Sequence, residues 1–265
     1  MSGSVVLKYP GAKNRIARQI CSYIPGHRVY LEPFFGSGAV FFNKKPSYIE
    51  TINDLDDSVT NYFKVLRDKT DELVRKLALT PWGRDEYNSS YIDNDDDSDV
   101  EKARKFAVRC WQGFGAANRY RNGFRSSQVG TSPQTAKIWG ELPEILSRAA
   151  LRLKNAQIEN LPALELIRRY DTPDVFMYID PPYLKELRKG YLYKHEMTEQ
   201  EHVELLSVLR VHRAKIMISG YDSPMYNEIL TGGGWHNVSL KSQAEGGAIR
   251  VEVLWMNYET GGLFD

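Results

Sequence analysis

The chain is poor in the residues that staple small folds or hold metals. Only two cysteines and five histidines occur in 265 residues. Cys21 and Cys110 form no metal-binding spacing and no disulfide framework, so no metal is expected and a disulfide-built secreted fold is disfavoured. Cys110 sits in an apolar helical pattern and reads as core. Long apolar runs are also missing: nothing approaches the ~20 residues of a membrane span. The opening MSGSVVLKYPGAK lacks the pattern of a secretory signal. Net charge is scarce, at +1, so global charge names no polyanionic partner. A cytoplasmic protein without a membrane partner is the expectation.

What is present is an ordinary globular balance, with 42% hydrophobic and 26% charged residues. The length suits one large domain, or a core with one sizeable insertion. The charge is segregated along the chain. An acidic run, DNDDDSDVE (93–101), precedes a stretch with seven cations and no acid: Lys102, Arg104, Lys105, Arg109, Arg119, Arg121 and Arg125.

Short apolar runs alternate with helical patterns. RVYLE (28–32), YIETIND (48–54), AQIEN (156–160), VFMYID (175–180), AKIMISG (214–220), HNVSLK (236–241) and RVEVLWMNY (250–258) read as strands. A helix is expected within PFFGSGAVFF and another over DSVTNYFKVLRDK. Thr198 and Glu201 form a capping box ahead of a helical stripe of Val203, Leu206 and Leu209. Such alternation predicts an open α/β sheet, mostly parallel. Residues 64–153 break the pattern and read as an inserted, mainly helical subdomain, leaving 1–63 and 154–265 as the main domain. Within the insertion, Phe106, Cys110 and Phe114 read as a buried stripe, and Arg104, Lys105 and Arg109 as the solvated face opposite it.

Four stretches carry chemistry. In YLEPFFGSGAVFF, a strand ends at Glu32 and a turn follows with Gly36 and Gly38. Glycines there let backbone approach a ligand at the carboxyl edge of a sheet. The spacing is not G-x-G-x-x-G, which disfavours a dinucleotide. Asp54 ends the second strand at a distance suited to binding ribose hydroxyls, although Asp54, Asp56 and Asp57 all qualify equally as a helix N-cap. KYPGAK (8–13) is a turn flanked by Lys8 and Lys13. The fourth is YIDPPYLKE (178–186). Its two prolines remove two N–H donors and fix φ, so the strand tip offers only acceptors: the Asp180 carboxylate and nearby carbonyls. An amino group, with two N–H donors, suits that tip, and Tyr183 adds a face on which a flat base can stack.

Asp180, Pro181, Pro182 and Tyr183 resemble the Asp-Pro-Pro-Tyr signature of S-adenosylmethionine-dependent methyltransferases acting on adenine N6. The order of the other motifs is similar to that of the Dam-type DNA adenine methyltransferases. KYPGAK looks like their N-terminal cofactor segment, EPFFGSGAVFF like their glycine motif and IND like their ribose-binding acid. The likeness covers nearly the whole chain. It implies a Rossmann-like methyltransferase sheet with one antiparallel strand near the C-terminus and a helical target-recognition insertion. It further implies S-adenosylmethionine as cofactor, double-stranded DNA as partner, and a bacterial or phage-encoded setting. Tyr9, Lys13, Glu32, Phe35, Gly36, Gly38, Asp54 and Asp180 would surround the cofactor. The chain departs from the family where KYPGAK lacks a glycine pair before the lysine, and NRYRNGFRSS only loosely matches the recognition loop.

The expected chemistry follows. The adenine amino lone pair is delocalised into the ring. Acceptors at Asp180 and the Pro181 carbonyl would hold both N–H bonds and stabilise the positive charge that develops on nitrogen. The base must leave the duplex to reach them. Phosphate contacts from the basic insertion would position the DNA, with Arg119, Tyr120, Arg121, Asn122, Phe124 and Arg125 on its contacting loop. His195 and His202 read as loop and helix-surface residues. The rival readings are methylation of RNA adenine or of cytosine N4, a nucleic-acid-binding relative without catalysis, and a nucleotide-dependent oxidoreductase. The intact Asp180–Tyr183 run disfavours the second, and the missing phosphate fingerprint the third.

Overall fold

A computed structural model describes residues 5–92, 94–115, 120–127, 134–188, 192–231, 233–243 and 249–259. In chain order the elements are α1 (Ala17–Ser22), β1 (Val29–Glu32), β2 (Ile49–Asn53), α2 (Asp57–Asp68), α3 (Thr70–Leu79), α4 (Arg84–Ser89), α5 (Asp99–Gln112) and α6 (Thr135–Leu153). They continue with β3 (Ala156–Glu159), α7 (Ala163–Arg169), β4 (Val175–Ile179), α8 (Glu199–Arg210), β5 (Lys215–Gly220), α9 (Pro224–Leu230), β6 (His236–Gln243) and β7 (Ile249–Met256). Every strand expected from the sequence is present.

The strands form one sheet in the order β3-β2-β1-β4-β5-β7-β6. β1 pairs in parallel with β2 and β4, β2 with β3, and β4 with β5. β7 runs antiparallel to both β5 and β6, so it alone opposes the others. This is a Rossmann-like sheet closed by a C-terminal hairpin. The strand order reverses between β1 and β4, with β2 and β3 on one side and β5 on the other, so a crevice opens beyond their carboxyl ends. The central position of β4 explains its sequence. VFMYI is buried at all five positions, as a parallel strand covered on both faces must be.

Local chemistry sets several boundaries. Asp56 caps α2, its Oδ1 accepting from the Ser58 N–H at 3.0 Å. The capping box at Thr198 and Glu201 begins α8. The buried face of α8 is His202, Leu205, Leu206 and Leu209, while Val203 is half-buried. His202 is therefore an interior residue, against the surface position expected. Its Nδ1 lies 2.8 Å from the Tyr226 hydroxyl, and burial pushes its pKa down to about 4.

The helix expected within PFFGSGAVFF does not form. Residues 36–43 make single turns, with Gly38 N–H bonded to Phe35 O and Phe42 N–H to Gly38 O. Gly36 and Gly38 both have positive φ, +50° and +67°, which interrupts the helical repeat.

Between β2 and β3 the described residues hold helices α2 to α6 and no regular strand, only an isolated bridge between Gly113 and Phe124. These helices share one core with the sheet. Tyr62, Phe106 and Trp111 belong to the same buried cluster as Val6, Tyr9, Tyr30 and Phe176. An ion cluster of Lys44, Glu50 and Arg152 fastens α6 to β2. Residue 64 falls inside α2. The stripe on α5 ends earlier than expected. Phe106 and Cys110 are buried, but α5 stops at Gln112 and Phe114 is 70% exposed. Among the described residues no helix is long and apolar enough to cross a membrane.

Candidate active site

The carboxyl ends of β1, β2 and β4 open into a cavity of about 210 Å3. Its wall is built from distant segments: Tyr9–Lys13, Glu32–Ser37, Asp54–Asp56, Asp180 with Pro182, and Tyr193 with His195–Met197. At the N-terminal wall, Tyr9 to Ala12 form a tight turn in which Gly11 has φ +70°. A Cβ on Gly11 would stand 2.2 Å from the Tyr193 hydroxyl. Both the backbone angle and the close approach thus demand glycine. The turn aims Lys13 inward, with its Nζ bonded to Gly11 O at 2.9 Å.

Lys13 meets Asp180. Its Nζ lies 2.8 Å from both carboxylate oxygens. Ser219, near the end of β5, donates to Asp180 Oδ1 at 3.0 Å and pairs with the Tyr178 hydroxyl at 2.9 Å. Burial opposes the charge on Lys13, but the carboxylates of Asp180 and Glu252 outweigh it and hold the ammonium above the ordinary lysine range. Tyr183 lies beneath rather than along the cavity wall. It is buried, with Lys13 Nζ 4.8 Å from its ring centre and Tyr221 packed edge-on at 4.8 Å. Its hydroxyl donates to Glu252.

Glu32 is buried at the tip of β1 and accepts from the Tyr30 hydroxyl at 2.6 Å. Burial pushes its carboxyl up to about 8; the Tyr30 bond opposes the shift and Asp180 adds to it. Asp54 accepts from the N–H of Gly36 at 2.8 Å and of Asp56 at 2.9 Å. The three-way ambiguity over the N-cap is resolved: Asp56 caps α2, and Asp54 lines the cavity. Desolvation pushes Asp54 up to about 7 against the pull of those two N–H groups. Phe35 packs edge-on against Phe63 at 4.8 Å and supports the glycine loop. Gly36 faces the Tyr9 ring, which would lie 3.1 Å from an added Cβ. The charged side chains of the lining are mostly acids, Glu32, Asp54, Asp56, Asp180, Glu196 and Glu201, against one ammonium, Lys13. Such a wall suits a ligand with cationic character and hydroxyl donors. Among the described residues no group of His, Cys, Asp or Glu could hold a metal ion.

Comparison with known proteins agrees with this geometry. The sequence profile of the D12 class N6 adenine-specific DNA methyltransferases matches residues 9–243. The chain belongs to this class. The type II methyltransferase M.MjaIII of Methanocaldococcus jannaschii is 26% identical, over 85% of this chain and 87% of that protein. The type II methyltransferase M1.LlaDCHI of Lactococcus lactis subsp. cremoris is 23% identical, over 95% and 94%. A DNA adenine methylase of Serratia marcescens is 33% identical over a shorter region, 32% of this chain and 30% of that protein.

In this methyltransferase the basic stretch does structural work that its sequence conceals. Lys105 is buried and pairs with Asp97 of the acidic run, and Arg104 pairs with Glu86 and Glu101. Arg109 donates to Ser90 O at 2.8 Å. These side chains therefore brace the helices instead of forming a solvated face. The following loop is held at its base by Phe114 N–H to Gly123 O at 2.6 Å and Arg125 N–H to Gln112 O at 2.7 Å. Tyr120 is 55% exposed. Arg121 bonds to Asn88 Oδ1 at 2.5 Å, the Asn122 carbonyl accepts from Tyr87, and Phe124 packs on Trp82 and Tyr87. Arg119 lies outside the described residues.

Three site residues escape the sequence reading. Ser219 and Glu252 come from β5 and β7, and Tyr193 from the loop after Pro-Pro-Tyr. Glu252 left one signal, a lone acid inside the apolar run VEVLWM. Tyr193, His195, Glu196 and Met197 of the loop after Pro-Pro-Tyr line the cavity, and its described residues are tied down at several points. Arg188 pairs with Glu196 and donates to Tyr183 O at 2.8 Å, while Lys194 pairs with Asp57.

Proposed function

We propose that this adenine methyltransferase binds S-adenosylmethionine in the acidic cavity and receives its target adenine, flipped out of duplex DNA, at Asp180. When bound, the cofactor supplies an electrophilic methyl group on a sulfonium. Asp54 would take ribose hydroxyls: Oδ2 already holds the Gly36 N–H of the glycine loop and Oδ1 the Asp56 N–H, and both keep acceptor capacity. Glu32, Gly36, Gly38, Phe35 and Tyr9 shape the surrounding wall. The acids of the wall complement the sulfonium charge, and a cation bound there would draw Glu32 and Asp54 toward their ionised forms.

The observation that carries the proposal is the setting of Asp180. It stands at the tip of β4, at the reversal of strand order, with both oxygens oriented by Lys13 and one by Ser219. Oδ2 keeps a lone pair free of these donors. With the Pro181 carbonyl, it can accept the two N–H bonds of an amino group and favour a tetrahedral nitrogen. A fixed carboxylate costs no reorganisation as positive charge appears on the amine. The arrangement also positions the nucleophile, the proximity contribution. Tyr183 stacks on the extruded base in this reading.

The helices between β2 and β3 serve as the target-recognition region in this reading. The reading assigns Arg119, Tyr120, Arg121, Asn122, Phe124 and Arg125 to phosphate and base-edge contacts at a short recognition sequence. A cytoplasmic setting follows from the DNA substrate. The test is transfer of labelled methyl to DNA by the wild type and by Asp180→Asn, with single-molecule sequencing to find modified adenines. Modified adenine at a fixed sequence, lost in the variant, is expected. Wild-type transfer by Asp180→Asn, or labelling of RNA in preference to DNA, overturns the reading.

A further inference from the structure

Glu252 lies in the last strand stretch, RVEVLWMNY, outside the four stretches that carry chemistry, yet it contacts two of the site's groups. It sits on β7 opposite Leu240 of β6 and is 6% exposed. One carboxylate oxygen accepts the Tyr183 hydroxyl and lies 3.7 Å from Lys13 Nζ. Lys13 is thus shared between two carboxylates, at 2.8 Å from Asp180 and 3.7 Å from Glu252. The shared arrangement has two consequences. A lysine paired with Asp180 alone would neutralise it and weaken its attraction for the positive charge that develops on the target amine. A second carboxylate leaves the cluster of Lys13, Asp180 and Glu252 with net charge −1 when all three are ionised. Its hydrogen bond from Tyr183 also sets the plane of the aromatic ring beside Asp180. Burying an extra acid beside an acid is unfavourable unless it is partnered. Burial, with Asp180 adding to it, raises the Glu252 carboxyl above its ordinary range, and the Lys13 ammonium and the Tyr183 hydroxyl oppose that rise and favour the charged form.

We propose that Glu252 is a positioning residue for methyl transfer, holding Tyr183 in place and keeping the Lys13–Asp180 cluster negative so that the positive charge developing on the target amine is stabilised. The proposal rests on the assignment of Asp180 as the acceptor of the target amine. It requires no new bond and no other reactant: Glu252 acts through Lys13 and Tyr183.

The test is single-turnover methylation at saturating DNA and cofactor, with the dissociation constants of both ligands and the thermal midpoint measured on each variant. Glu252→Gln keeps an acceptor for Tyr183 and removes only the charge. Its transfer rate is expected to fall about tenfold or more, corresponding to about 1.4 kcal/mol in the barrier. Both dissociation constants should stay within about threefold, the small change expected when ground-state binding is retained. Glu252→Asp, which restores the charge on a shorter stem, should recover part of the rate. A wild-type rate for Glu252→Gln overturns the proposal. A parallel loss of rate, cofactor binding and thermal midpoint also overturns it, by showing a structural role alone. An Asp variant no faster than the Gln variant removes the charge argument. Asp180→Asn, run in parallel, separates the two layers. If it is inactive while Glu252→Gln is normal, only the Glu252 assignment fails; if it is active, both fail.

Discussion

The Lys13 ammonium lies 2.8 Å from each oxygen of Asp180, across 167 residues of chain. This one contact joins the N-terminal turn to the tip of β4 and orients the carboxylate on which the proposed chemistry depends. Removing the lysine should therefore affect both stability and activity. Lys13→Met leaves Asp180 and Glu252 facing each other without a cation. Removal of one partner from a buried pair costs about 3–5 kcal/mol. A thermal midpoint lowered by on the order of 10 °C is expected. Thermal unfolding of the purified variant checks this, and an unchanged midpoint contradicts the account of the pair.

Gly11 allows a second test. Gly11→Ala must place a methyl where the Tyr193 hydroxyl stands and hold a left-handed backbone angle. The backbone alone costs roughly 1–2 kcal/mol. The variant should bind cofactor more weakly, because Tyr193 and the Lys13 turn both line the cavity. Adding Tyr193→Ala should recover part of that binding by removing the clash. Calorimetric titration of both variants decides the matter; a double variant no better than the single one would exclude the steric explanation.

The raised carboxyls predict a pH dependence. Asp54 rises from 3.8 to about 7 and Glu32 from 4.5 to about 8. The folded state then binds more protons than the unfolded state between those values. Stability of the cofactor-free protein must fall as pH rises through the window. His202 acts oppositely, since burial lowers it from 6.5 to about 4, and its contribution is lost as pH falls below 6.5. The interval from pH 6.5 to 8 therefore isolates the carboxyls. Urea midpoints should decline across it in the wild type and much less in Glu32→Gln. A rising midpoint over that interval contradicts the assignment.

The loop assigned to DNA contacts gives a fourth expectation. Arg119→Ala with Arg121→Ala should weaken duplex binding and leave cofactor binding unchanged. If both arginines contact phosphates, the slope of log K against log salt should become shallower by about 1–2. Fluorescence anisotropy across a salt series measures it. An equal loss of DNA and cofactor binding would indicate misfolding, which the bond from Arg121 to Asn88 makes a necessary control.

Several features of this protein are determined by short-range sequence alone. Period and turn chemistry place all seven strands, because a strand's burial pattern and its Gly or Pro stops are local properties. For the same reason Asp180 lands at the tip of β4, Asp54 just beyond β2 and the two glycines after β1. Local pattern also misleads where the chain leaves its regular repeat. Phe114 continues the α5 stripe on paper, but the helix has already ended. The glycine loop resembles a helix start until two positive φ angles break it.

Tertiary structure decided the rest. Lys105 looks solvated in the sequence and is buried, because Asp97 folds back to neutralise it. His202 looks exposed and faces Tyr226. Lys13, Ser219, Glu252 and Tyr193 converge on Asp180 and the cavity from four separate segments. The β-strand crossovers set which of them meet, and no periodicity within one segment records that. The sequence names the carboxylate at the centre of the site; the sheet's order decides which charges surround it.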